Sequence, residues 1–420
     1  MPGSTGSARC RSRSPARTEP EDSMVGARRI LIAGGGIGGL TAAATLLQAG
    51  FEVAVFEQAP VLSEVGAGIQ VSANAGRVYR SLGLMEAVEA AGVMPDAYHF
   101  RIFDSGEILQ TIPLGAGYRE RHGVPYVTIH RADLHRLLVG KVSSLDPGAV
   151  RTGRTVTSFA EDEDGVTVTL ADGTTERGAV LIGADGIKSV VRRGVVGSTE
   201  AAYTGDAVWR VMVPMDRLPP DHRWHSTDIW AGPGRHAVTY ALRGGTVMNL
   251  VGCVEYAQWE DESWTTPRPW AEMRADFDGW HPIITGIIDA ADRDQCFRWA
   301  LRDREPIRDW STARVTLLGD AAHPTLPYMA QGAAMAVEDA AVLARALLRT
   351  SDVAAAIALY QANRVDRTAR IVNESRANRA LFHLPDVAAL RAAFAKRDMN
   401  AERSAWLFSY DPTTVELVAA

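Results

Sequence analysis

The sequence predicts an α/β protein: a parallel, Rossmann-like sheet layered with helices, into which a second domain built on a mixed antiparallel sheet is inserted. Three observations carry that reading. The stretch Arg29–Glu57, RILIAGGGIGGLTAAATLLQAGFEVAVFE, runs from an apolar strand through a glycine turn into a helix and a second apolar strand, which is one βαβ unit. Two later apolar runs end in Asp185-Gly186 and Gly319-Asp320, so an Asp stands where each of two further parallel strands meets solvent. Between them, residues 203–300 hold eight of the ten tryptophans and strand-like runs at Val208–Val213, His236–Leu242 and Thr246–Val254.

Each glycine of the first turn has a physical task. Gly34 permits the tight turn out of the strand, Gly36 lets a pyrophosphate approach bare backbone, and Gly39 lets the helix pack closely on the strand, with Gly38 inside the same fingerprint. A pyrophosphate there meets unpaired N–H groups at the positive end of the helix dipole. Glu57 closes the second strand 18 residues after Gly39, where a carboxylate can accept hydrogen bonds from a ribose. Strand, glycines, helix, strand and terminal acid together predict dinucleotide binding.

Composition excludes several other classes. With 420 residues the chain can bury a large core, and its net charge of −6, with both signs interspersed, gives no footprint for nucleic acid or an anionic membrane. Cys10, Cys253 and Cys296 are odd in number and widely spaced, which argues against a disulfide framework, offers no metal-ligand spacing and points to a reducing compartment. No apolar run approaches the roughly 20 residues of a membrane span. A cytoplasmic protein, monomer or homodimer, is expected. Residues 1–26, rich in Ser, Arg and Pro, read as a disordered tail or as an extension of a chain that starts at Met24.

The remaining elements follow in order. After the βαβ unit, EVGAGIQ (residues 64–70) makes a glycine-bearing turn into a short strand, and a helix is predicted over 75–91, ended by Gly92 and Pro95. Residues 98–130 alternate as antiparallel strands, and a helix is predicted over 131–142. Val166–Leu170 and the strand after Asp172-Gly173 form a hairpin, which leads to the strand at Val180. Helices are predicted from Gly332 and over 352–381, while the last forty residues give no clear pattern. The organisation expected is therefore a discontinuous cofactor domain (27–97, 125–200, 300–375), a substrate domain (98–124 and 201–299) and a C-terminal segment (376–420).

The three motifs GGGIGGL with Glu57, GADGIKSVVR and LLGDAAHPTLPYMAQGAAMAVEDA stand in the order found in one family. Over residues 27–375 the chain resembles the class A flavoprotein aromatic hydroxylases, the para-hydroxybenzoate and salicylate hydroxylase superfamily. Within that group the stretches EQAPVLSEVGAGIQ, HRADLH, Arg235–Tyr240 and MAQGAAMAVEDAA most resemble 6-hydroxynicotinate 3-monooxygenase. The resemblance implies an FAD-binding, Rossmann-like (GR2-type) domain, NADH or NADPH as a transient reductant, and attack of a flavin C4a-hydroperoxide, formed with O2, on an electron-rich ring. By that similarity Arg131 would contact the FAD pyrophosphate or ribose, and the backbone near Val156 would border the adenine. Asp185 with Arg192 would serve both FAD and the incoming reductant, Asp320 would hold the ribitol, and Gln331-Gly332 would aim N–H groups at the reduced ring.

Ring activation asks for a base or strong hydrogen-bond partner at a phenol. His236 and Tyr240, an even four apart on one strand, share a face and match the resembled enzyme's pair, so they are the expected catalytic residues. Gln70 and Tyr328 are expected at the substrate ring, with Arg210 and Arg235 as candidates for a substrate carboxylate. His323 reads as a local hydrogen-bonding residue. Histidines stand in the resembled enzyme where this chain has Gln70 and Tyr328; neither replacement is a base near neutral pH, so the expected substrate is a hydroxy- or amino-substituted benzoate-like acid. The alternatives are a hydroxypyridine carboxylate or a salicylate-type decarboxylative hydroxylation, and, in another class, a flavin-dependent dehydrogenase or reductase that inserts no oxygen.

Overall fold

A computed structural model of the chain describes residues 28–62, 68–197, 200–258 and 267–419. The tail expected over 1–26, with Cys10, lies outside these residues, as do positions 64–67 of the EVGAGIQ turn and two of the tryptophans, Trp259 and Trp264.

The apolar runs pair as their composition dictates. Strands Val315–Leu317, Val180–Gly183, Arg29–Ala33, Glu52–Glu57 and Val150–Thr152 lie side by side in that order, all parallel. The central strand is buried from Ile30 to Ala33, as a sheet covered on both faces requires. Helix Ile37–Gln48 packs on this sheet, and helix Gly332–Arg349 packs on that helix. Strands Val156–Glu161, Val166–Leu170 and Thr175–Gly178 form an antiparallel meander that contains the expected hairpin, closed at Asp172-Gly173 with Gly173 at φ 82°.

A second sheet has seven strands, in the order Phe297–Asp303, Ala202–Pro214, Val247–Glu255, Arg235–Leu242, Ser226–Gly232, Ala97–Ile102 and Ile108–Pro113. It is antiparallel throughout except between Ser226–Gly232 and Ala97–Ile102, so it is mixed, as the sequence predicts. On the face away from the parallel sheet, Trp209, Trp230 and Trp280 enter a core with Phe277 and Ile284.

Three local expectations differ from the structure. The helix expected over 75–91 is two, Ala73–Ser81 and Met85–Ala91, because Gly83 turns left-handed at φ 71° and the Leu84 N–H donates back to the Tyr79 carbonyl at 2.8 Å. The strands expected through 98–130 give way to a helix at Ala116–His122, where Tyr118 and His122, four apart, bury one face against Phe408. The following strand, Val127–His130, pairs with Gly68–Val71 and not with the large sheet. The C-terminal segment is ordered: helices Val387–Phe394 and Met399–Arg403 bury Leu390, Phe394 and Met399.

Val353–Phe382 is a single 30-residue helix that reaches both sheets. Arg364, fully buried in its first half, binds Glu338 and Asp339 on the adjoining helix at 2.7 and 2.6 Å. Arg379, near its other end, grips Asp206 of the seven-stranded sheet through two contacts of 2.5 and 2.8 Å.

Candidate active site

The first glycine turn divides its labour in the way the sequence predicts. Gly34 has φ 104°, and a Cβ there would stand 2.4 Å from the Ala184 carbonyl oxygen; a Cβ on Gly39 would stand 2.0 Å from that of Gly34. These two contacts lock helix and strands together. A Cβ on Gly36 would meet no described residue within 4 Å, so bare backbone is open to a ligand at the N-terminus of the Ile37–Gln48 helix. Glu57 accepts from the N–H groups of Gly35 and Ala59, each at 2.7 Å, which fixes its carboxylate beside that turn.

Gly36 and Gly38 line one end of a cavity of about 370 Å³ together with Arg131, Gly186, Asp320 and Gly332. All three motifs thus converge on one trench, as strand ends in a doubly wound sheet do. Asp320 has no hydrogen-bond partner among the described residues and opens into the trench, an arrangement suited to a polyol hydroxyl. Bare backbone at Gly36 and this uncommitted acceptor fit an extended dinucleotide such as FAD.

Other residues expected at the cofactor make contacts that hold the trench together, and Arg192 lines an adjoining cavity that shares Asp320 with it. Asp185 accepts from Ser189 Oγ and from the N–H groups of Val190 and Val191, capping the Val190–Val196 helix. Arg192 donates to the carbonyls of Ala321 and Ala322 at 2.8 and 3.0 Å, tying the second motif to the third. Gln331 bridges Asn74 and Ser72, each at 3.0 Å, and Val156 begins the outer meander. Behind Asp320, Asp339 accepts from the Gly319 N–H at 3.0 Å and faces His323 Nε2 at 2.6 Å. Burial would raise the Asp339 carboxyl, but His323 and Arg364 outweigh it and hold the group down at about 2. His323 is therefore a local structural partner, as its sequence setting suggests.

The far end of the cavity is one face of the seven-stranded sheet. His236, Val238 and Tyr240 alternate inward from one strand, Val251 and Cys253 from its neighbour, and Arg210 from the next. The same alternation sends Arg235 to the opposite face, where it donates to the Asp276 carbonyl, so Arg235 is not brought to the site. The odd offset from His236 was the signal that excludes it. Among the described residues Arg210 has no carboxylate within ion-pair reach and no partner for its buried Nε; its guanidinium sits 5.1 Å from the Trp299 ring.

Burial pushes the His236 imidazole well below its ordinary range, reinforced by His383 and Arg379, so it is neutral at pH 7. Burial also pushes Tyr240 up to about 12, against the pull of Arg210, so it acts as a hydrogen-bond donor. Gln70 accepts from Tyr126 OH at 2.5 Å and lines the cavity. Tyr328 packs edge-on against His236, its hydroxyl donating to Asp206 at 2.5 Å. Gly68 is a site residue the sequence reading passed over: a Cβ there would stand 2.2 Å from Tyr240 Cε2, so only glycine leaves room for that ring. Asp206, Arg379, His383 and Glu255 were also missed, since they come from two strands and the C-terminal end of the long helix, and no local motif joins them.

A dinucleotide trench that opens onto an aromatic-walled cavity, with a neutral imidazole and the Arg210 guanidinium on one face, fits a cofactor-dependent redox enzyme for a small aromatic compound. Residues 28–375 match the FAD binding domain family, and the chain belongs to that family. It is 40% identical over 393 residues to 3-amino-4-hydroxybenzoate 2-monooxygenase of Streptomyces platensis, covering 92% of this chain and 97% of that one. It is 38% identical to 6-hydroxynicotinate 3-monooxygenase of Bordetella bronchiseptica, covering 84% and 92%. Klebsiella pneumoniae HpxO, solved with FAD and uric acid, superposes with a TM-score of 0.79 at 32% identity over 90% of this chain and 95% of that one. The chain is an FAD-dependent aromatic monooxygenase of the class A flavoprotein hydroxylases. Among the described residues no helix is long and apolar enough to cross a membrane.

Proposed function

We propose that the ring hydroxylated is a benzene-ring acid carrying a phenol or aminophenol. The observation that carries this is the pairing of His236 with Arg210 on one cavity face: a neutral imidazole for the phenol, and a cation with no counter-ion among the described residues for the carboxylate. His236 takes the phenolic proton at Nε2, since Nδ1 is engaged by His383. Tyr240 orients the ring oxygen through its hydroxyl, and Val238, Val251 and Ile229 keep water from the ring. FAD, when bound along the trench, supplies the activated oxygen, with NADH or NADPH as the reductant. Gly36, Arg131, Asp320 and Gly332 are the residues that would hold it. Cys253 and Cys296 as free buried thiols support a cytoplasmic setting.

Histidine would suit a hydroxypyridine at two positions where this cavity instead has Gln70, already bonded to Tyr126, and Tyr328, already bonded to Asp206. A panel of 3-hydroxybenzoate, 3-amino-4-hydroxybenzoate, salicylate and 6-hydroxynicotinate, scored for NAD(P)H oxidation and product mass, tests the reading. The expected result is stimulation by a hydroxy- or aminohydroxybenzoate and a product one oxygen heavier. Stimulation by 6-hydroxynicotinate alone, or NAD(P)H oxidation unaffected by every acid, would overturn it.

A further inference from the structure

The His236 nitrogen that faces away from the cavity begins a path out of it. His236 Nδ1 lies 2.8 Å from His383 Nε2, and His383 Nδ1 lies 2.9 Å from Glu255 Oε1. Both imidazoles are buried, whereas the Glu255 side chain is 44% exposed. The three residues come from three elements: the Arg235–Leu242 strand, the C-terminal end of the long helix and the last position of the Val247–Glu255 strand. Residues so distant in sequence meet in one line from cavity to solvent.

One protonation pattern satisfies both contacts with neutral rings. A carboxylate only accepts, so His383 carries its proton on Nδ1; its Nε2 then accepts from His236 Nδ1–H, which leaves a lone pair on His236 Nε2 at the cavity. We infer that His236, His383 and Glu255 form a proton wire that carries the substrate's phenolic proton to solvent, an inference that rests on the phenol reading of the cavity. The phenol O–H bond breaks as His236 Nε2–H forms. His236 Nδ1–H breaks as His383 Nε2–H forms, and His383 Nδ1–H breaks as the proton joins Glu255, which passes it to water. The electron pair stays on the phenolate. Return of a proton to the product phenolate along the same line restores both tautomers.

The surroundings explain why a wire is needed. Burial keeps both imidazoles less basic than an ordinary histidine, so a proton held on either ring would be a buried cation. Concerted transfer through both rings avoids that species. Groups facing His383 are Glu255, Asp206, Arg379 and Tyr328; those facing His236 are Tyr328, Phe382 and His383, with the Arg379 charge also acting on it. Asp206, Glu255 and His383 could together hold a metal ion, but Arg379 already stands between the two carboxylates, 2.5 Å from Asp206 and 3.3 Å from Glu255. It fills the cation's place and fixes the mouth of the wire.

The test uses FAD-loaded enzyme mixed rapidly with 3-hydroxybenzoate or 3-amino-4-hydroxybenzoate in weak buffer containing a pH indicator. Ligand binding is followed by the flavin spectrum and proton release by the indicator. Wild-type enzyme is expected to bind and release a proton. Glu255→Gln, a substitution at the surface, is expected to keep its affinity while proton release slows roughly a hundredfold, and Glu255→Asp to recover most of the rate. Proton release by Glu255→Gln at the wild-type rate, or equal losses in affinity and rate, would overturn the wire. So would wild-type binding without proton release, although the phenol reading would then stand. If neither acid perturbs the flavin, the phenol reading falls and takes the wire with it.

Discussion

Replacing Arg210 by Met separates what the residue does for folding from what it does for binding. In the structure its guanidinium is largely buried, has no acidic partner among the described residues and rests over Trp299, and burial disfavours its charged form. Met keeps the length and can pack on the same ring, giving up a cation–π contact of roughly 0.5–1 kcal/mol while relieving a desolvation cost at least as large. The expected Tm is therefore equal to or above that of the wild type. Binding moves the other way. A charge-assisted hydrogen bond to a carboxylate is worth roughly 1.5–3 kcal/mol, which corresponds to a loss of roughly 10- to 150-fold in Kd for a hydroxybenzoate. Flavin-absorbance titrations with 3-hydroxybenzoate and with unsubstituted phenol, beside a thermal melt, read both quantities. Equal weakening for the two ligands, or a lower Tm with unchanged affinity, would refute the assignment of Arg210 to the carboxylate.

Three further outcomes follow from the geometry. Gly68→Ala forces a Cβ into the Tyr240 ring and should lower kcat for the aromatic acid on the order of tenfold to a hundredfold with FAD content unchanged; single-turnover hydroxylation and the flavin-to-protein ratio check it. Asp320→Ala removes the uncommitted acceptor of the trench and should weaken FAD retention by about tenfold; a variant that purifies fully flavinated contradicts the placement. Asp339 is depressed in the folded protein to about 2, so its stabilising contribution is present above its unfolded value near 3.8 and is lost as pH falls through the interval between them. The stability gap between wild type and Asp339→Asn, read from denaturant unfolding, should therefore narrow from pH 4 to pH 2, and a constant gap would contradict the pairing.

Features that a short window of sequence encodes were legible, and features that depend on distant partners were not. The βαβ unit could be read because strand, glycine turn and helix are local, and so could the shared face of His236 and Tyr240, which strand periodicity fixes. The same periodicity excludes Arg235, but only once its odd offset from His236 is applied to it. Asp185 was legible as a strand-end carboxylate, but not its bonds to Ser189 Oγ and the Val190 N–H at the start of the Val190–Val196 helix. Gly83 broke a helix because its neighbours carry no stronger stop signal than one glycine. Asp206, Glu255, Arg379 and His383 could not be joined from sequence, since their contacts exist only after the long helix crosses the seven-stranded sheet.

That helix sets a constraint on how this chain can diverge. Arg364 secures the turn that carries Asp320, and Arg379 and His383 reach the cavity floor, so the phase between them is shared by both sheets. Inserting or deleting one residue between Arg364 and Arg379 would rotate one set of contacts by about 100° relative to the other. New ring preferences can arise by exchanging side chains on the sheet face, whereas a change in the length of this rod would uncouple oxygen chemistry from ring binding at once.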